Sequence, residues 1–224
     1  MTAPGRLITI EGLDGSGKST LARALAAALA ERGVPVTVLR EPGGVEVSER
    51  IRELLADPAL EIEPRAEALL YAAARAQLVG QRLEPLLAAG RWVLLDRFVD
   101  SSLAYQGAGR QLGIEQVRAV NRFATGGREP DRTLLLELAP ELGRTRALSR
   151  PGAVDRVERE REEFFARVAG GYRALAEAEP SRIVRLDATR APAELVADAL
   201  AALIDLMPTA ARAQGGSGDQ PVGR

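Results

Sequence analysis

The strongest constraint on this sequence is a glycine-rich run placed between an apolar strand and a helix. Residues 12–19 read Gly-Leu-Asp-Gly-Ser-Gly-Lys-Ser and match the pattern G-x-x-x-x-G-K-[ST] in full. The apolar run at residues 7–10 ends just before it, and from residue 18 to about 31 leucines recur at the four-residue spacing of a helix. Backbone N–H groups in such a loop point inward at phosphate oxygens. The sequence therefore predicts a phosphate-binding loop that opens a helix.

The side chains of this loop have distinct expected roles. Lys18 brings a positive charge to the phosphates, and the Ser19 hydroxyl is a candidate ligand for Mg²⁺. The alternative is a glycine-rich turn with an incidental lysine, which the full motif in its strand–helix context disfavours. The candidate ATP site comprises Gly12, Leu13, Asp14, Gly15, Ser16, Gly17, Lys18, Ser19 and Thr20.

The rest of the chain alternates short apolar runs with longer helical stretches. Four further apolar runs lie at residues 34–39, 92–95, 133–138 and 183–186. Strands that are apolar throughout are typical of a parallel sheet covered on both faces. We therefore expect an α/β fold with a five-stranded parallel sheet and helices on both faces, formed by one domain over residues 1–207.

Two helical stretches and the C-terminus complete this outline. Residues 63–89 suit two helices or one long helix, and residues 155–179 carry one apolar stripe that consists of Phe164, Phe165, Val168, Tyr172 and Leu175. From Pro208 onward the apolar periodicity is lost, and this composition cannot bury enough surface to order itself. We expect residues 208–224 to form a flexible tail.

Composition excludes several classes of protein. The chain has no cysteine and no histidine, so disulfides, thiolate chemistry and Ser-His or Cys-His hydrolases are ruled out. Its net charge of −1 provides no overall field for holding nucleic acid or an anionic membrane. No apolar run approaches the roughly 18 residues of a membrane span, and the N-terminus lacks the form of a signal peptide. We expect a cytoplasmic protein without nucleic-acid or membrane partners.

A second candidate site lies at Asp96 and Arg97, where the run at residues 92–95 stops. A carboxylate at the C-terminal end of a parallel strand faces the crevice where such sheets bind ligands. Asp96 is thus a candidate Mg²⁺ ligand, directly or through water, although an aspartate can also cap the following helix. The adjacent arginine favours the ligand-binding interpretation, because it can hold phosphate charge.

An arginine-dense stretch predicts a lid at roughly residues 146–157. Phosphoryl transfer spreads negative charge over the equatorial oxygens, so mobile arginines that close over the phosphates are the expected catalytic device. The Pro-Gly pair at residues 151–152 indicates a hinge. Arg150 and Arg156 are the candidate catalytic arginines, whereas a solvated helix face better explains Arg159, Arg161 and Arg167.

Five sequence blocks, in order, resemble the thymidylate kinase (dTMP kinase) family. They lie at residues 11–20, 40–44, 67–76, 96–107 and 155–158. The resemblance covers about residues 6 to 205, and it implies a P-loop nucleoside monophosphate kinase architecture that uses ATP, Mg²⁺ and dTMP as a homodimer. The loop carries an acidic residue and no arginine in its variable positions, which looks like the bacterial type whose lid supplies the arginine.

The resemblance also implies how the sugar and phosphate of the acceptor are held. Asp14 would meet the 3′-hydroxyl, and Tyr105 would lie against the deoxyribose. Arg52 and Arg97 would hold the acceptor phosphate, with Arg97 also approaching the transferred group. Arg146 would lie near the adenine of ATP.

For the base, the resemblance implies stacking and polar contacts. Tyr71, where the family usually has Phe, would stack on thymine, and Arg75 would hydrogen-bond the base. Their i, i+4 spacing places both on one helix face, although a lone helical tyrosine is more often packing. A cis bond at residues 41–42 is implied as well, whereas statistics alone favour trans. Polar contacts to the base edge would come from Ser101, Ser102 and Gln106.

Two other functions stay open at this point. One is a kinase for another deoxynucleotide or deoxynucleoside, and the other is a P-loop protein that binds nucleotide without turnover. The chain lacks the Asn-Lys-x-Asp motif of GTPases. The retention of Lys18, Asp96, Arg97 and the lid arginines favours a kinase, in which the γ-phosphoryl group passes in line to the acceptor phosphate without a general base.

Overall fold

A computed structural model describes residues 5–149 and 156–209 of the chain. The sheet has five parallel strands in the order β2-β3-β1-β4-β5. The strands are β1 (Leu7–Gly12), β2 (Val36–Arg40), β3 (Trp92–Asp96), β4 (Arg132–Glu137) and β5 (Ile183–Asp187). Each predicted apolar run forms a strand, so the prediction of a five-stranded parallel sheet is confirmed.

The strand register brings the two predicted site segments together. Ile10 of β1 lies opposite Asp96 of β3, and Arg40 of β2 lies opposite the same aspartate. Gly12, the first residue of the glycine-rich loop, lies opposite Leu136 of β4. Because parallel strands end at one edge of a sheet, the loop and Asp96 share the carboxyl edge.

Helices cover both faces of the sheet. They are α1 (Lys18–Glu31), α2 (Glu46–Ala56), α3 (Pro64–Leu78), α4 (Glu84–Ala88), α5 (Val99–Ser102), α6 (Ile114–Thr125), α7 (Pro140–Leu148), α8 (Glu162–Ala178) and α9 (Pro192–Ala202). Successive side chains of a strand point to opposite faces. Ile8 and Ile10 accordingly pack in the core that α1 and α9 cover, whereas Leu7 packs in a second core with Leu78 of α3.

Residues 64–88 form one continuous run of helix instead of two separate helices. A π-helical turn at Val79–Leu83 joins α3 to α4. Pro85 lies at the start of α4. A proline has no N–H, and its ring collides with the carbonyl four residues earlier, so a locally widened turn is the expected adjustment.

The apolar stripe predicted for the last long helix is confirmed, since each of its residues is buried. The helix itself begins at Glu162, later than the predicted residue 155, because residues 156–160 form turns that are tied to other elements. Small residues let α8 approach a second π-helical segment, Leu103–Gly109. A Cβ atom on Gly171 would lie 2.8 Å from the Ala108 side chain.

The predicted lid and tail fall mostly outside the described residues. Of the lid, residues 146–149 and 156–157 are described, and Arg150 is not. Of the tail, residues 208–209 are described. Within the described parts of the chain, no helix combines the length and apolarity that a membrane crossing requires.

Candidate active site

A cavity opens at the carboxyl ends of β2 and β3, beside the glycine-rich loop. It brings together all of the residues that the resemblance assigns to the acceptor, as well as the Mg²⁺ candidates Ser19 and Asp96. The acceptor residues that line it are Asp14, Arg52, Tyr71, Arg75, Arg97, Ser101, Ser102, Tyr105 and Gln106. Residues from distant parts of the chain therefore share one cavity.

The glycine-rich loop has the curled backbone that phosphate binding requires. Gly15 and Gly17 have φ angles of +81° and +95°, a left-handed region that favours glycine. The Lys18 Nζ donates to the carbonyl oxygens of Gly12 and Leu13 at 3.1 and 2.9 Å. Burial, together with the charge of Arg97, lowers the pKa of Lys18 to about 8. The lysine is thus positioned over the loop, where phosphate oxygens would compete with these carbonyl oxygens for its hydrogen bonds.

The start of α7 presses against this loop. A Cβ atom on Gly15 would lie 2.1 Å from the carbonyl oxygen of Gly143, and one on Gly143 would lie 2.8 Å from that of Asp14. Contacts this close are sterically forbidden, so both positions require glycine. The loop pattern accounts for the first glycine, but no sequence pattern accounts for Gly143, because its partner is distant in the chain.

The two Mg²⁺ candidates are hydrogen-bonded to each other. The Ser19 hydroxyl donates to Oδ2 of Asp96 at 2.6 Å. Among the described residues no cluster of three or more acidic, His or Cys side chains could hold a metal by itself. Mg²⁺ usually takes one or two protein oxygens and completes its shell with phosphates and water. The hydroxyl–carboxylate pair fits that mode of binding.

Arg97 lies at the centre of the phosphate end of the cavity. Its φ of 70° is unusual for a residue with a side chain and points to a functional constraint. Its Nη2 donates to Oδ1 of Asp14 at 2.7 Å and to the Tyr105 hydroxyl at 3.2 Å. Burial alone would raise the pKa of Asp14, but the charges of Arg97 and Lys18 outweigh it and hold that pKa well below its usual range.

Glu11 is a buried carboxylate that the sequence reasoning missed, and it shares two hydroxyl partners with Arg97. Glu11 accepts hydrogen bonds from the Ser101 hydroxyl at 2.5 Å and the Tyr172 hydroxyl at 2.9 Å. Arg97 donates to both hydroxyls, at 3.0 and 3.4 Å. Burial and the charge of Asp100 raise the pKa of Glu11. The hydroxyl of Tyr172 in an otherwise apolar stripe was the available signal for this cluster.

Arg75 is almost fully buried, and its guanidinium is surrounded by acceptors. Both Nε and Nη2 lie 2.7 Å from Oε2 of Glu41. The remaining bonds go to the Ser102 hydroxyl at 2.9 Å, the Phe98 carbonyl at 2.9 Å and the Asn121 side chain. Burial raises the pKa of Glu41 to about 7, although Arg75 opposes the shift. The peptide bond between Glu41 and Pro42 is cis, as the resemblance implies.

Glu67 forms a second buried cluster at the base end, which the sequence reasoning also missed. Its side chain is fully buried and accepts hydrogen bonds from Gln106, Arg110 and Arg156. Arg156 also donates to the Leu55 carbonyl at 3.2 Å. The predicted lid arginine Arg156 is therefore tied to α2 and α3 in this structure.

Comparison with known proteins agrees with this geometry. A sequence model of thymidylate kinase matches residues 10–199. The thymidylate kinase of Deinococcus radiodurans is 50% identical over 199 residues, which cover 89% of this chain and 96% of that protein. The thymidylate kinase of Pelotomaculum thermopropionicum is 49% identical over 91% of this chain and 94% of its own length. The chain belongs to the thymidylate kinase family.

A solved thymidylate kinase has the same fold. The crystal structure of the enzyme from Ehrlichia chaffeensis is 28% identical, has a TM-score of 0.73, and is matched over 89% of this chain and 99% of its own. The family and the architecture that the sequence blocks implied are thus confirmed.

Three further arginines are singled out by the thymidylate kinase resemblance, and of these Arg52 lines the cavity. Arg52 is exposed and donates to the Pro42 carbonyl at 3.3 Å. Arg146, assigned to the adenine, is exposed and donates at 3.3 Å to the carbonyl of Ala188, which directly follows β5. Arg150 is not among the described residues.

Proposed function

We propose that this chain transfers the γ-phosphoryl group of ATP to the 5′-phosphate of dTMP, giving dTDP and ADP. The observation that carries the proposal is one cavity that Lys18, Asp96 and Arg97 line together with Tyr71, whose ring can stack on a planar base. Membership in the thymidylate kinase family supports dTMP as the acceptor.

The donor side follows from the loop. Lys18 and the loop N–H groups bind the phosphates of ATP, and the positive end of the α1 dipole adds to their attraction. Ser19 and Asp96 would hold Mg²⁺, which neutralises the charge that develops on the phosphates. Arg146 would bind near the adenine, where its contact with the segment after β5 supports that assignment.

The acceptor side needs no general base, because a phosphate oxygen of dTMP is already ionised at neutral pH. Arg97 and the exposed Arg52 bind this phosphate, and Arg97 also neutralises charge on the transferred group. Asp14 and Tyr105 enclose the sugar, and Tyr71 stacks on the base beside Arg75. Arg150 and Arg156 remain the candidate lid arginines, within a single domain over residues 1–207 that a tail follows.

We also propose a homodimer. Phe123 of α6 is 92% exposed and Leu69 of α3 is 57% exposed, and these two helices pack side by side. Large exposed apolar side chains on adjoining helices are typical of an interface between subunits. Analytical ultracentrifugation tests this, since Phe123→Glu should convert a dimer into a monomer. A wild-type chain that sediments as a monomer would contradict the proposal. A cytoplasmic location stays a prediction of the sequence.

An assay of ADP release with ATP, Mg²⁺ and a panel of acceptors tests the proposed reaction. The panel is dTMP, dUMP, dCMP, dGMP and thymidine, and we expect the highest kcat/KM for dTMP. A preference for another acceptor would replace dTMP in the proposal. Nucleotide binding without turnover on any acceptor would instead indicate a non-catalytic nucleotide-binding protein.

A further inference from the structure

Glu67 of α3 is a carboxylate with no solvent exposure at the base end of the cavity. Its Oε1 accepts from Nε2 of Gln106 at 2.9 Å and from Nε of Arg110 at 3.1 Å. Its Oε2 accepts from Arg110 at 3.0 Å and from Arg156 at 2.6 Å. Burial opposes ionisation, but the hydrogen bonds and the charge of Arg110 lower the pKa of Glu67. The group is therefore an ionised carboxylate that only accepts hydrogen bonds.

This carboxylate decides which way the Gln106 amide faces. An amide side chain offers a donor group and an acceptor oxygen, and only the NH₂ group can bond to an ionised carboxylate. The carbonyl oxygen of Gln106 is then the atom left for the cavity that this residue lines. Among the described residues no group donates to that oxygen, and Gln106 itself is 2% exposed. An acceptor in this position can bind a ligand that carries a donor.

Pyrimidine bases differ in what they offer to such an acceptor. Thymine and uracil carry an N–H at position 3, which can donate to the Gln106 carbonyl. Cytosine has a bare nitrogen at position 3, so its lone pair would face the carbonyl lone pairs. A site that hydrogen-bonds a substrate N–H discriminates strongly against an analogue that lacks it. The orientation of the amide is thus a selectivity element.

The same carboxylate also anchors a chain segment that lines the cavity. Arg156 reaches it directly, and Arg110 connects it to Glu160 through a second ion pair. Between these two anchored positions lie Val157 and Glu158, which line the cavity. The network therefore links the base-reading amide to the chain segment that closes this side of the pocket.

We propose that Glu67 is a specificity-determining positioning residue, which holds the Gln106 carbonyl toward position 3 of the acceptor base and thereby favours thymine over cytosine. This inference rests on the proposed function. Glu67 touches neither substrate, and it acts through Gln106.

The test is the variant Glu67→Gln, assayed with dTMP and with dCMP. A neutral amide can donate as well as accept, so Gln106 is no longer confined to one orientation. The ratio of kcat/KM for dTMP to that for dCMP should fall at least about tenfold, through a higher KM for dTMP. If this variant does not fold, Glu67→Gln combined with Arg110→Gln removes the charge and its partner together and should show the same loss.

A control variant separates selectivity from general damage. Asp131 lies at the amino edge of the sheet and pairs with Arg6 at 2.5 Å, remote from the cavity. Asp131→Asn also removes an ion pair, yet the dTMP to dCMP ratio should be unchanged. A merely structural role for Glu67 would lower kcat/KM for both acceptors alike and preserve the ratio, and that result would overturn the inference.

Gln106→Leu tests whether Glu67 acts through the amide. The ratio in the Glu67→Gln, Gln106→Leu double variant should be no lower than in Gln106→Leu alone, because the two residues form one unit. Additive losses would contradict action through Gln106. A wild-type enzyme without preference for dTMP over dCMP would contradict the proposed function itself, whereas an unchanged ratio in Glu67→Gln overturns only the role of Glu67.

Discussion

The two ends of the cavity handle charge in opposite ways. At the phosphate end, Lys18, Arg97 and Ser19 bond to groups that a bound phosphate or metal would replace. At the base end, Arg75 and Glu67 are enclosed and bond to several protein partners each. The difference separates two tasks. In the proposed reaction, the charges at the phosphate end exchange their protein partners for phosphate or metal, whereas those at the base end keep theirs.

Arg97 is the central charge of the phosphate end, and its removal should have the greatest effect on turnover. Arg97→Ala should lower kcat by about 10³-fold or more, because an arginine at the transferred phosphate acts mainly in the transition state. The affinity for ATP should change little. Steady-state kinetics and ATP titration measure the two effects, and nearly intact turnover would remove Arg97 from its assigned role.

The second test removes the central charge of the base end. Arg75→Met leaves Glu41 buried without its cationic partner, which should lower the free energy of unfolding by about 3 kcal/mol or more. The exposed Arg52 is the matched control, and Arg52→Ala should change that free energy by less than about 1 kcal/mol. Urea unfolding measures both. Equal losses in the two variants would contradict the assignment of Arg75 to a fixed, structural charge.

The third test disturbs the packing behind the phosphate end. Gly143→Ala places a methyl group against the Asp14 carbonyl and should shift the loop, which would raise the KM for ATP several-fold. A Cβ atom on Gly170 in α8 would meet no atom of the described residues within 4 Å. Gly170→Ala should therefore leave that KM unchanged and stabilise the helix by about 0.5–1 kcal/mol. An unchanged KM in Gly143→Ala would show that the loop tolerates this displacement.

The smallest expected effect concerns pH. The pKa of Glu41 rises from 4.5 to about 7 in the folded chain. A carboxyl group whose pKa is raised by folding contributes to the free energy of unfolding. This contribution is complete below the pKa of the unfolded chain and is lost as pH rises through the pKa of the folded chain. The melting temperature should therefore contain a contribution from Glu41 that decreases as pH rises from 4.5 to 7, and Glu41→Gln should remove this contribution. An identical pH slope in the variant would place this ionisation elsewhere.

Sequence reasoning reached the phosphate end more completely than the base end. The loop and the Asp96–Arg97 pair are encoded in short, contiguous patterns whose spacing has a direct chemical meaning. Tyr71 and Arg75 were placed through family resemblance and helical spacing. Glu67 and Tyr172 were missed, because each acquires its partners only through the fold: Glu67 meets Arg156, 89 positions away, and Tyr172 meets Glu11, 161 positions away.

The strand order separates the proposed binding sites of the two nucleotides. β1 carries the glycine-rich loop at the middle of the sheet, with β3 and β2 on one side and β4 and β5 on the other. The acceptor cavity lies over the β2–β3 half, and Arg146 marks the proposed adenine site beyond β5. Under the proposed assignment, the two nucleotides would enter from opposite sides of β1, so that neither would have to leave for the other to enter.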